Sequence, residues 1–259
     1  MRFDYDPNFI EQATFLIAKR DPEQECVLHE HLDPLYRISD AELRQRAFRE
    51  AYGALFRHFG LDQFIPRLVG EFPLVTRRLT RCIVREAERN RAQSVDLYTQ
   101  KSDKPEGDED RTLIMALCPE SLVDQERMTP WLRRQLQHVE DMVDEGFAYE
   151  TRLPDVSSVQ QNLIRDRYAV LWDIYVEGRL IRSKKLSDPA AGELWRSFAK
   201  AFARGKRVPS RITFERLYGS DDLTHAQMLR WATDPGTLLE EGEGEKDVRK
   251  REAPSCAGC

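Results

Sequence analysis

The chain has 259 residues, with 40 Lys and Arg against 45 Asp and Glu, a formal net charge of −5 and charged residues at 33%. Ile, Leu, Val and Phe supply about a quarter of the chain, above the roughly one-fifth at which chains remain disordered, so a packed core is expected. The weak acidity excludes the broad basic surface that phosphate backbones require, and no apolar run approaches the about 18 residues of a membrane helix. Nucleic acid and membrane are therefore not expected partners, and a cytoplasmic protein is the expectation.

The acidic, mixed start Met1-Arg2-Phe3-Asp4-Tyr5-Asp6 does not resemble a secretory leader. Five cysteines, at 26, 82, 118, 256 and 259, are an odd number in a chain too long to need disulfide staples, so thiols are expected. Cys26, His29 and His31 form C-x-x-H-x-H, three metal-compatible side chains within six residues. A complete zinc site needs a fourth ligand, which His138 or a terminal cysteine would have to bring through the fold. No metal or other cofactor is favoured on this spacing alone, and zinc is the one to test for.

Ser39 with Glu42 reads as a capping box, followed by Leu43, Ala47, Ala51 and Leu55 on one face until Gly60. A short helix is expected around 63–70 and a longer one over 74–92, where Leu79, Ile83 and Ala87 recur every fourth residue opposite Arg77, Arg81 and Arg85. Residues 94–100 alternate with period two and 111–118 form a compact apolar run, which predicts two strands. The acidic stretch 101–110 between them suits a loop joining an antiparallel pair. Its Asp103, Glu106, Asp108 and Asp110 lack the full spacing of an EF-hand loop.

Thr129 as N-cap and Pro130 at the first helical position predict a helix running to Glu145. Ser158 with Gln161 predicts a second capping box and a helix reaching Arg182. Pro189 opens another, ending near Gly205, and Thr224 caps a short one closed by Pro235. From 237 onward the charged, Gly-rich chain has little to bury and ends in a Cys256-x-x-Cys259 pair. The expected domain is 1–236, with a flexible tail over 237–259. No internal repeat, phosphate-binding loop, dinucleotide-binding turn or nucleophile elbow occurs. His58 and His225 stand without nucleophile or ligand spacing, and Trp131, Trp195 and Trp231 suit core packing.

The order helix, strand, loop, strand, helix, helix over about 77–182 resembles zinc peptidases of the zincin type. In that family an edge strand leads into a helix carrying H-E-x-x-H, and a following helix supplies a third ligand. Here the helix reads Arg134-Gln135-Leu136-Gln137-His138, so only the last His matches the motif. Arg134 stands where the resemblance would place a ligand; it has no lone pair for zinc and brings a positive charge. Gln135 stands where the general base would be and cannot accept a proton.

On a helical wheel Leu132, Leu136, Val139 and Val143 form one stripe and Arg134, His138, Asp141 and Glu145 the opposite one. In the following helix Asp166, Asp173 and Glu177 share a narrow sector beside a wide apolar face. Carboxylates so placed need cations, and Arg134, Arg167 and Arg179 are the candidates. Arg167, projecting among apolar residues, is expected to pair with a carboxylate.

The expected fold is α+β and mainly helical, with a small antiparallel sheet packed on helices. The expected function is non-catalytic: binding of an unknown protein partner on a degenerate zincin-like scaffold. The candidate cleft residues are Arg134, Gln135, His138, Asp141, Asp166, Asp173 and Arg179. A metal-dependent hydrolase with non-standard ligands among Cys26, His29, His31 and His138, and a helical adaptor unrelated to zincins, are the alternatives.

Overall fold

The computed structural model describes residues 1–87, 93–100, 110–187, 190–203 and 209–238. The chain is α+β and mainly helical, and it divides into two compact units, Met1–Glu140 and Asp141–Cys259. Where the sequence suggests one domain over 1–236, the contacts thus gather in two places. Asp103, Glu106 and Asp108, Pro189, Gly205, Cys256 and Cys259, and all of the expected tail except Thr237 and Leu238, lie outside the described residues.

The first unit opens with strand β1 (Arg2–Tyr5), helix α1 (Pro7–Ala18), helix α2 (Pro22–Leu32) and a 3-10 turn over Asp33–Arg37. Both helices start at an Asp-Pro pair. Asp6 accepts from the Asn8 and Phe9 amides and Asp21 from the Glu23 amide, while the prolines occupy first-turn positions where no amide is needed.

Helix α3 (Ala41–His58) is capped by Asp40, which accepts from the Leu43 amide at 2.8 Å, rather than by the expected Ser39. Leu43, expected on the apolar face, is exposed, whereas Leu55 and Phe56 are buried. Leu55 joins Ala18, Leu28 and Leu32 in a small core covered by Phe48 and Tyr52. Gly60, at φ 69°, adopts the left-handed conformation open to glycine and starts α4 (Leu61–Val69). Leu61, Phe64, Ile65, Leu68 and Val69 bury that helix.

The expected helix over 74–92 is a correction. Only α5 (Pro73–Arg78) is helical, and the chain then forms strand β2 (Arg81–Glu86). Spacing of four fits both periods, because residues i and i+4 share a face in a helix and in a strand. The β-branched pair Ile83-Val84 and the alternation that buries Cys82 and Val84 favour the strand. Arg77 belongs to α5, whereas Arg81 and Arg85 are strand residues and form no helical face.

Strands β3 (Ser94–Gln100) and β4 (Asp110–Leu117) are the expected antiparallel pair, in register from Ser94 opposite Ala116 to Gln100 opposite Asp110. They are half of a mixed four-stranded sheet of order β1-β2-β4-β3, in which β1, β2 and β4 run parallel. Leu113, Met115 and Leu117 are fully buried, the inward residues of a central strand.

After the short helix α6 (Pro119–Val123) comes α7 (Gln125–Val143). It begins four residues before the expected Thr129 cap. Asp124 accepts from the Arg127 amide at 3.3 Å, and Thr129, already inside the helix, donates its hydroxyl to the Gln125 carbonyl. Pro130 is likewise internal. Leu132, Leu136, Val139 and Val143 are all buried, as the wheel requires. Two further α7 side chains hold the segment before β2: Arg133 makes a two-armed pair with Glu71, and Glu140 accepts from the Leu74 amide in the first turn of α5.

The second unit contains α8 (Ser158–Arg182), α9 (Ala191–Ala201), α10 (Arg211–Gly219) and α11 (His225–Thr233). The α8 capping box is Ser157 with Gln160, one residue before the expected pair. Thr224 and Gln227 cap α11 in the same way. Around α8 the other three helices bury Phe198, Phe202, Phe214, Leu217, Met228 and Trp231. No described helix is long and apolar enough to cross a membrane.

Candidate functional site

The seven cleft residues fall in both units: Arg134, Gln135 and His138 in the first, Asp141, Asp166, Asp173 and Arg179 in the second. Within the second unit two of them meet. Asp141 is 1% exposed, and its carboxylate accepts from Arg179 Nη2 at 2.5 Å and from Trp172 Nε1 at 2.7 Å. The guanidinium reaches both oxygens through Nη2 and lies 4.0 Å over the Tyr175 ring. A charge withdrawn so far from water stays ionised only with such donors.

Asp166 and Asp173 are exposed, so the narrow carboxylate sector of α8 does not act as a unit. Glu177, its third member, is buried and accepts from the Ala190 amide at 3.1 Å. Arg167 directs Nε to the Ala201 carbonyl and Nη1 to the Ala232 carbonyl, tying α8 to the ends of α9 and α11. Arg134, Gln135 and His138 are half-buried on α7.

Sequence reasoning missed the cluster beside the Asp141 pair. Phe147 and Tyr149 stack on Trp172 with centroids at 5.5 and 5.3 Å, and Phe147 also stacks on Tyr175. His225, the first residue of α11, presents its ring to Phe147, Tyr149 and Tyr168. Its backbone amide donates to the Phe147 carbonyl, and Nδ1 lies 2.8 Å from the Tyr168 hydroxyl. Nε2 is buried without a hydrogen-bond partner.

The cheaper tautomer carries its proton on Nδ1, donating to Tyr168, because an unmet lone pair costs less than an unmet N–H. Burial holds the imidazole below its ordinary pKa, with Glu150 pulling weakly the other way. Burial also raises the Tyr168 phenol, and the neighbouring Tyr149 and Asp141 add to that. The sequence carried a faint signal for this cluster in the spacing of Tyr168, Trp172 and Tyr175, one aromatic band along α8. Nothing local pointed to His225.

The C-x-x-H-x-H stretch lies on α2 with all three side chains exposed. Cys26 Sγ faces Glu30 at 3.7 Å, His29 Nδ1 faces Asp33 at 3.5 Å, and His31 Nδ1 bonds the Val27 carbonyl at 2.9 Å. His29 and His31, two residues apart, point about 200° away from each other around the helix. Among the described residues no three His, Cys, Asp or Glu side chains gather as a metal would require. His58 lies against Phe59, Trp195 packs on Phe198 and Phe214 beneath Arg211, and Trp231 lies beneath Arg216.

No protein-family model, curated protein or solved structure matches this chain.

Proposed function

We propose that this chain is a non-catalytic cytoplasmic protein that binds a protein partner on a degenerate zincin-like scaffold. The observation that carries the reading is the chemistry of α7. Its one residue matching the zincin motif is His138; Arg134 cannot ligate zinc, and Gln135 cannot accept a proton. Of the two carboxylates in the Arg134, His138, Asp141 and Glu145 stripe, Asp141 is committed to Arg179 and Trp172. Part of the expected order supports the scaffold, since edge strand β3 pairs antiparallel with β4, which leads through α6 into α7 and then α8, although strand β2 stands where the opening helix was expected.

The test is elemental metal content of the full chain carrying Cys256→Ser and Cys259→Ser, purified without chelator, beside the same chain with R134H and Q135E added. The expected result is zinc well below one equivalent in the first and a clear gain in the second, because the pair of substitutions recreates the H-E-x-x-H donor set. About one equivalent of metal in the first would instead make the protein a metalloprotein with other ligands. A folded R134H/Q135E chain that gains no zinc would remove the zincin scaffold.

A further inference from the structure

We propose that a groove at the carboxyl end of β4 binds a small zwitterion of the amino-acid class with an apolar side chain. The groove lies wholly within the first unit and does not depend on the zincin reading. Its position follows from the sheet. Strands β1, β2 and β4 run parallel, so their carboxyl ends share one edge, which is where ligands lodge in parallel sheets. Gln93 stands there just before β3, and the chain leaves β4 there through Cys118 into α6.

The groove measures about 480 Å³, within the range of small-molecule sites, roughly 300–1,000 Å³. Met128 and the half-buried Trp131 on α7 supply its apolar wall. Beside Gln93 and Ser121, four charged side chains line the groove: Arg20 and Arg127, and Glu120 and Asp124. Arg20 Nη1 donates to the Val123 carbonyl at 3.1 Å, and Asp124 accepts from the Arg127 backbone amide. Among the described residues none of the four closes an ion pair with another side chain.

Two charges of each sign that leave one another unpaired around one groove define the ligand. An anion would meet the guanidiniums and be repelled by the carboxylates, and a cation the reverse. A molecule with both charges satisfies both sets: its ammonium toward Glu120 and Asp124, its carboxylate toward Arg20 and Arg127. The Gln93 amide adds a donor for that carboxylate, because its oxygen is already taken by the Cys118 N–H at 3.0 Å. The wall of Met128 and Trp131 suits an apolar or aromatic body.

The experiment is ligand-observed NMR and calorimetry on the full chain, using free phenylalanine, leucine and methionine beside their N-acetyl and carboxamide forms. At least one free amino acid is expected to bind with Kd of about 1 mM or tighter, and blocking either end should weaken it by about tenfold or more. Glu120→Gln and Arg127→Gln, both at exposed positions, should each weaken it similarly with an unchanged circular dichroism spectrum. Absence of binding by the whole panel up to about 10 mM, a range that spans weak millimolar affinity, overturns the proposal. Equal binding of blocked and free forms overturns it as well.

Discussion

Gly178 lies inside α8, four residues before its last residue Arg182, where glycine costs about 1 kcal/mol relative to alanine, so local propensity alone makes Gly178→Ala stabilising. The packing reverses the sign. A Cβ at Gly178 would stand 1.9 Å from the Tyr218 carbonyl oxygen and 2.8 Å from its carbon, and the end of α10 is backbone that no rotamer change can move aside. Restoring ordinary contact requires a shift of roughly 1.5 Å between α8 and α10, more than the 0.5–1 Å gap that forfeits up to half of a dispersion contact. Phe214 and Leu217 are buried on α10, each worth about 1.5–3 kcal/mol when fully buried. Losing about half of that, together with the strain of overpacking, costs about 3 kcal/mol, or about 2 kcal/mol net of the propensity gain. The expected melting point falls by roughly 5 °C. Gly53→Ala is the internal control: it also lies inside a helix, α3, but its Cβ would meet nothing within 4 Å, so it should gain about 0.5–1 kcal/mol. Urea and thermal unfolding of both variants decide the matter. A Gly178→Ala chain as stable as the parent would refute the close approach of α8 to the Tyr218 carbonyl.

Removing Arg179 alone, as Arg179→Met, takes the guanidinium from the buried Asp141 carboxylate, to which Trp172 still donates, and should cost about 3–5 kcal/mol. The double variant Asp141→Leu/Arg179→Met should recover most of this loss. Equal losses in the single and double variants would show that the pair is not what holds Asp141 in the core. His225 gives a pH dependence with a defined sign. Its folded pKa is depressed, so the native state binds fewer protons than the unfolded chain near an unfolded value of about 6.5. Stability is therefore full above that value, falls as pH drops through it, and levels off once pH is below the folded value. Denaturant unfolding from pH 8 to pH 5 should show this slope and lose it in His225→Phe, with an NMR titration of the ring reporting the folded pKa directly.

Local rules captured what they govern and failed where two periods coincide. The strands at β3 and β4, the helix stop at Gly60 and the Thr224 cap follow from alternation and capping chemistry within a few residues. β2 did not, because Leu79, Ile83 and Ala87 satisfy both periods; the β-branched Ile83-Val84 was the arbiter. The helices α1 and α2 were written in Asp6-Pro7 and Asp21-Pro22, each an N-cap joined to a first-turn proline, but α2 has too weak an apolar face to stand out by periodicity. The Thr129-Pro130 pair has the same form and stands inside α7, since Asp124 had already begun the helix one turn earlier. A cap signature thus marks where a helix can begin, and packing decides among the candidates.

At the candidate site the same limit is sharper. The wheel placed Asp141 opposite the buried stripe of α7, where a surface position is the ordinary outcome, yet Asp141 is among the most buried polar residues of the chain. The need for a cation was argued for Asp166, Asp173 and Glu177 of α8, because carboxylates beside an apolar surface must be met, but Arg179, one of the cations named for them, pairs instead with Asp141 of α7. The Trp172 donor and the His225 ring, 84 positions beyond Asp141 in sequence, were not legible, because they arrive through the packing of α8 and α11, which leaves no local pattern. Charge demand can therefore be read from one helix, whereas the identity of the partner belongs to the tertiary fold. That is why the α7 motif, read alone, speaks clearly about the chemistry it lacks and only through the fold about the side chains that meet it.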